Sequence, residues 1–278
     1  MAKSFLPKVL TTGGDGMVGS YVDFGIKTNR RSLDITDLSE ARAVCNFYKP
    51  EVILHLAAET DVDRCERDPE YAYLVNSVGT YHMALVAKEI GAKFVYISTN
   101  AIFDGLKNGP YEERDKPHPR SYYGQSKLFG ECAVKEFLDN YLILRVSWMM
   151  GGGPNKDQKF VAKIIRQIKD SQTEYINAVT DQIGALTYGK DLVGAIKILL
   201  QEDRRGVFHM PNSGVGSRYE VAEEIVRVLG SKIKVRPVDS SFFKLDASRN
   251  GNDTLKSSTN LMRSWQEALK DYLETEWK

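Results

Sequence analysis

The stretch 8-KVLTTGGDGMVG-19 decides the fold. Lys8–Thr12 is a short run that reads as one strand, and it passes directly into glycines. Gly13, Gly16 and Gly19 fit G-x-x-G-x-x-G. Residues without a Cβ let the backbone turn tightly and let a pyrophosphate approach the N-terminus of a following helix. By itself the motif is weak and reads equally as a glycine-rich turn. Placed after an N-terminal strand and before a helical pattern, it predicts a dinucleotide site.

Outward from that loop, short apolar runs alternate with helical spacing. Strands are expected over Pro50–Ala57, Lys93–Ser98 and Tyr141–Val146, and helices over Pro69–Ile90, capped by Gly91, and Ser121–Phe137. This alternation means βαβ units, hence a doubly wound parallel sheet of Rossmann type with helices on both faces. After Trp148 the pattern changes. A loop at 151-GGGPN-155 precedes an amphipathic helix expected over Lys156–Asp170, then mixed short elements. The expected division is a dinucleotide-binding domain over 1–146 and a smaller substrate-binding lobe over 147–278, some of whose segments return to the first domain. In such sheets ligands bind outside the carboxyl ends of the strands, where the lobe would close a pocket.

Bulk properties narrow the class. The chain has 278 residues, 42% hydrophobic and 27% charged, with a net charge of +1. No basic stripe calls for nucleic acid, and no apolar run is long enough for a membrane helix or a signal peptide. Cys45, Cys65 and Cys132 lack metal spacing and read as thiols of a reducing cytosol. The expectation is a cytoplasmic protein.

The ribose end of the cofactor site is less direct. An NAD site usually carries an acid about 20 residues past the glycines. Here Arg30 and Arg31 stand in 26-IKTNRRSLD-34. Paired guanidinium forks match a 2′-phosphate. The reading is NADPH, with NADH as the alternative; the plain counter-reading is a solvated loop.

Tyr123 and Lys127, in 121-SYYGQSK-127, lie at i and i+4 on one helix face. An adjacent ammonium favours the phenolate, which brings a phenol into range for proton transfer. Tyr122 falls on the wrong face. The third member is Thr99, at the carboxyl end of the strand in 97-ISTNAIFDG-105. Glycine loop, hydroxyl-bearing strand end and Tyr-x-x-x-Lys helix, in that order, form a constellation that none makes alone.

Through 13-GGDGMVG-19, 33-LDITD-37, 50-PEVILHLAAETDVDRCE-66, 97-ISTNAIFDG-105, 111-YEERDKPHPRSYYGQSKLFGE-131, 145-RVSW-148, 181-DQIGALT-187 and 206-GVFHM-210, and more faintly 246-DASRNGNDTL-255, the sequence resembles the extended short-chain dehydrogenase/reductases. Within them it most resembles the dTDP-4-dehydrorhamnose reductase family. The resemblance implies NAD(P)H-dependent reduction of a nucleotide-linked 4-keto-6-deoxy sugar, in making cell-surface polysaccharide precursors. It implies Gly16, Met17 and Val18 on the pyrophosphate, Asp34 and Ile35 at the adenine, and Ala58, Glu59 and Thr60 along the cofactor's middle. Thr99, Tyr123 and Lys127 would be catalytic, with Lys127 also gripping the ribose. Val62, Asn100 and Trp148 would meet the sugar, and Arg249 a phosphate.

Departures from the family pattern matter. Asn100 stands where the family has an aspartate, and neither Asn100 nor Ala101 can do the acid–base work of a dehydratase. Tyr21 stands where some members place a metal-binding glutamate, so no metal is expected. The segment 20-SYVDFGIKTNRR-31 is short for a helix plus a strand. The expected partner is a nucleotide sugar, with a homodimer as the candidate assembly. Two other readings remain: a sugar-nucleotide epimerase, and a non-catalytic NADP-binding subunit resembling the regulatory subunit of methionine adenosyltransferase.

Overall fold

The computed structural model describes residues 6–277. The reading of the chain's start falls partly on residues 1–5, outside them. In chain order the strands are Val9–Thr12 (β1), Ile26–Lys27 (β2), Val52–His55 (β3), Lys93–Thr99 (β4), Tyr141–Val146 (β5), Trp148–Met150 (β6), Tyr175–Val179 (β7), Ile183–Gly184 (β8), Leu186–Tyr188 (β9), Gly206–His209 (β10), Gly216–Ser217 (β11) and Lys234–Val238 (β12). The helices are Leu38–Tyr48 (α1), Val62–Arg67 (α2), Pro69–Tyr73 (α3), Thr80–Ile90 (α4), Tyr122–Phe137 (α5), Gly153–Lys156 (α6), Phe160–Lys169 (α7), Gly189–Gln201 (α8), Arg218–Val228 (α9) and Trp265–Glu276 (α10).

Among the described residues, six strands form one parallel sheet in the order β10-β5-β4-β3-β1-β2. β1 and β3 are buried at every position, as strands covered on both faces must be. The chain leaves β1 toward one edge and returns at β3 to build toward the other. The crevice between their carboxyl ends is therefore the switch point where doubly wound sheets bind ligands. One face of the sheet packs on α1, α4 and α5 through Leu10, Ile53, Met83, Phe94 and Val134; the other packs on α8 through Val9, Leu54, Leu144 and Ile196. A separate core of β6, β7, β9, α7, α9 and α10 builds the smaller lobe. Residues beyond 147 thus pack on both cores: β10 joins the large sheet, and α8, Met210 and Met262 pack on it.

The caps follow local chemistry. Asp37 and Ser121 accept from the first N–H groups of α1 and α5, and Gly91 ends α4 at φ 70°. Ser217 with Glu220 and Ser264 with Glu267 form capping boxes on α9 and α10.

Two sequence expectations are corrected. No α-helix follows the glycine loop; a single 3₁₀ turn, Gly19–Tyr21, takes its place. That side of the sheet is filled by α8 instead, with Val18, Val22 and Phe24 packed on its apolar face and Asp23 paired to Lys197 at 2.6 Å. The loop therefore lacks the dipole of a following helix. The amphipathic helix also starts at Phe160, not Lys156. Asp157 turns inward, fully buried, and accepts from Tyr272 Oη at 2.8 Å and from the Lys159 N–H at 2.7 Å, which breaks the helical path. The helix expected over Pro69–Ile90 runs unbroken through α3 and α4, but Leu74–Gly79 between them is π-helical.

Candidate active site

A cavity of about 740 Å³ lies over the carboxyl ends of β1, β3, β4 and β5, roofed by the smaller lobe. The glycine loop forms one wall. Gly13 sits at φ 64°, and a Cβ there would stand 2.7 Å from the Ala57 nitrogen, so only glycine lets β1 and the segment after β3 approach this closely. The loop is braced by Gly14 N–H to the Thr28 carbonyl at 2.8 Å and by Asn29 Nδ2 to Asp15 at 2.7 Å. Tyr21, under the loop, donates to Glu276 at 2.6 Å, and Tyr188 donates to the same carboxylate at 2.6 Å.

Asn76, wholly buried in the π-helical turn, clamps the next wall. Its carbonyl accepts from the Glu59 N–H at 2.9 Å; its amide donates to the Glu59 carbonyl and to Ser126 Oγ, both at 3.0 Å. The segment 57–60 is thereby tied to α5. π-turns recur at functional sites, but the sequence pattern here is simply helical, so Asn76 gives no signal in it.

Helix α5 brings in the chemistry. A Cβ on Gly124 would overlap the Ala101 carbonyl, so this glycine lets the helix seat against the end of β4. Tyr123 then comes beside Thr99, whose hydroxyl favours the phenolate. Burial pushes the Tyr123 phenol up to about 12, with Thr99 opposing. Lys127 is 3% exposed, its Nζ 4.1 Å from the centroid of the Tyr96 ring. Burial pulls it down to about 7, with Glu131 opposing. Helical spacing predicts an ammonium that acidifies the phenol. In the protein alone burial governs both groups instead, and the phenol stays protonated.

Behind them, Glu131 and Arg145 form a buried two-pronged pair at 2.9 and 2.8 Å, linking α5 to β5. His55, buried and bonded to Thr12 and Thr80, is pulled down to about 3 by burial and by Lys127, so it stays neutral.

Gly13, Gly16, Met17, Val18, Ala58, Thr60, Val62, Thr99, Asn100, Tyr123, Lys127, Trp148 and Arg249 all line the one cavity. Arg30, Arg31, Asp34, Ile35 and Glu59 do not. Arg30 and Arg31 lie in the exposed turn after β2, with Arg30 donating to Tyr71 Oη at 3.1 Å. Hydrogen bonds from Thr36 hold the Asp34 carboxyl below the ordinary range. Ile35 is buried against Gly79, and Glu59 pairs with Arg64 at 2.9 Å. Tyr122 is exposed, as its face required.

On the lobe side, the Trp148 ring carries the Arg218 guanidinium 3.8 Å from its centroid, and its Nε1 donates to Asp253 at 2.8 Å. Lys159 donates to the Thr60 carbonyl at 2.6 Å. Arg249 pairs with Asp63 at 2.8 Å across the cavity mouth, beside a second exposed pair, Arg67–Asp246, at 2.5 Å. Arg218, Lys159 and Asp253 are site residues that no motif in the sequence marks. No group of three or more metal-ligating side chains occurs among the described residues, and no helix of theirs is long and apolar enough to cross a membrane.

The residues fit a dinucleotide. Glycines without side chains face the cavity, and a catalytic-type Thr-Tyr-Lys set stands beside them. Comparisons with known proteins agree. The spore coat polysaccharide biosynthesis protein SpsK of Bacillus subtilis is 32% identical over 97% of this chain and 98% of its own length. The dTDP-4-dehydrorhamnose reductase of Mycobacterium tuberculosis is 33% identical over 94% of this chain and 91% of that protein. The crystal structure of dTDP-4-dehydrorhamnose reductase from Bacillus anthracis in complex with NADP superposes with a TM-score of 0.91 at 32% identity, covering 97% of this chain and 99% of that one. With the model of the RmlD substrate binding domain matching residues 7–277, the chain belongs to that family of extended short-chain reductases.

Proposed function

We propose that this chain is an NADPH-dependent reductase of a nucleotide-activated 4-keto-6-deoxy sugar, of the dTDP-4-dehydrorhamnose reductase type, acting in the synthesis of a polysaccharide precursor. The observation that carries this reading is the meeting of Thr99, Tyr123 and Lys127 on one cavity wall beside the glycine loop.

The glycine loop and the segment 58–60 would hold the dinucleotide, and Lys127 its ribose. The chemistry supplied by NADPH, when bound, is hydride. The residues of the chain do the rest. The carbonyl oxygen would sit between Thr99 and Tyr123, which fix its position. Tyr123, protonated in this setting, gives its proton to the alkoxide oxygen as charge develops there. The ammonium form of Lys127, on the same helix face, offsets the phenolate left behind. The smaller lobe covers the cavity and keeps water from the reacting carbon. A reductase needs no acid–base pair beside Thr99, which matches Asn100 and Ala101.

A panel of dTDP-, UDP- and GDP-linked 4-keto-6-deoxy sugars, each followed by the loss of NADPH absorbance, tests this. Turnover of the dTDP-linked member is expected. Absence of turnover across the panel would reject it.

A further inference from the structure

Resting on that reading, we propose that Asp253 is the carboxylate of the sugar pocket, a positioning residue that orients Asn100 and Trp148 and, through Asn100, directs the hydrogen bond of Thr99. The family pattern has its acid at the residue after the catalytic threonine; here that residue is Asn100, whose Nδ2 donates to the Asp253 carboxylate. The acid beside it comes instead from a residue 153 positions along the chain.

The carboxylate is surrounded by donors. Oδ2 accepts from Trp148 Nε1 at 2.8 Å, and Oδ1 accepts from Asn100 and, at 3.3 Å, from Asn250 Nδ2. Arg218, stacked on the Trp148 ring, is the charged group facing it. Burial raises the Asp253 carboxyl, while Trp148, Arg218, Asn250 and Asn100 all favour its ionised form; an indole N–H can only donate, and the carboxylate they favour can only accept. The Asn100 amide group facing Asp253 must therefore be the NH₂ group, which leaves Oδ1 turned toward the Thr99 hydroxyl at 3.3 Å. The hydroxyl's own proton is engaged there, and its oxygen accepts from the Ala101 N–H at 3.1 Å. The chain runs one way: Thr99 to Asn100 to Asp253. Each bond polarises the next, and the phenol proton of Tyr123, outside this run of bonds, is left for the substrate carbonyl. Asn100, so oriented, shows Thr99 the acceptor that an aspartate would.

A charge exchange tests this. Asp253→Asn sets a donor against either Trp148 or Asn100, and Asn100→Asp sets two carboxylates face to face. Each single change is expected to lower kcat/KM roughly 10- to 100-fold, the scale of a buried unpaired donor or charge. In the double variant Asn100→Asp with Asp253→Asn, the amide now on the lobe side donates to the carboxylate now beside Thr99 and accepts from Trp148, so every bond but the long one from Asn250 can re-form. That double variant is expected to recover kcat to within about threefold, with NADPH affinity unchanged throughout. A double variant no better than its worse parent, or an Asp253→Asn enzyme of ordinary kcat and KM, would overturn the proposal. Thermal midpoints of the four proteins read the same pairing without turnover, and additive changes there would also overturn it. An inactive unaltered protein whose midpoints still show the coupling would count against the reductase reading alone.

Discussion

The ammonium of Lys127 rests 4.1 Å from the centre of the Tyr96 ring, on a side chain almost wholly withdrawn from water. Its neighbour one turn earlier, Tyr123, is held neutral by burial. This pair is poised to deliver a proton and not to take one.

Replacing Tyr123 by Phe removes the donor and leaves the ring. Turnover is expected to fall by at least ~100-fold, the scale of a lost general acid, while NADPH affinity, read by fluorescence titration, holds. An unaltered kcat would take Tyr123 out of the chemistry.

Lys127→Met carries a prediction on stability. In the unfolded chain this lysine titrates near about 10.4, in the folded protein at about 7. Between those values the unfolded state holds more protons, so Lys127 makes stability rise with pH across that window. In the Met variant the cofactor-free protein should melt higher at pH 7 and lose that slope, while turnover and NADPH affinity both fall. A lower midpoint at pH 7 would contradict the burial argument.

Arg30 and Arg31 stand in the turn that braces the glycine loop through Asn29 and Thr28. If they meet a 2′-phosphate, changing both to Ala should weaken NADPH binding roughly 10- to 100-fold, the scale of charge-assisted hydrogen bonds, and leave NADH nearly unchanged. Equal loss for the two cofactors would exclude that role.

The Glu131–Arg145 pair is buried at both ends. Glu131→Gln leaves a guanidinium uncompensated and should cost about 3–5 kcal/mol in urea unfolding. A loss under about 1 kcal/mol would show that water reaches the site.

What is legible in the sequence is what local spacing determines. Strand β1 with its glycines, helix α5 and the Thr99 strand end each announce themselves within a few residues, and their order along the chain implies the sheet. The missing helix after Gly19 is not visible as such, because helix α8, remote in sequence, fills its place. The break at Asp157 depends on Tyr272, and the part given to Asp253 depends on Trp148 and Asn100. Such contacts join residues a hundred or more positions apart, and no period or motif encodes them. Spacing places Lys127 on the correct helix face, but its proton affinity depends on burial, which spacing does not report.

The two rims of the cleft are fastened by different means. Under the glycine loop, Tyr21 and Tyr188 clasp the Glu276 carboxylate within the protein, where dissolved ions have little reach. At the mouth, Arg67–Asp246 is open to solvent on both sides, at 59% and 52% exposure, and Arg249–Asp63 lies partly open beside it. Surface ion pairs loosen as ionic strength rises. Salt therefore acts on the second rim and not the first, and adding it should hasten the sugar's arrival and departure while leaving the dinucleotide's seat undisturbed.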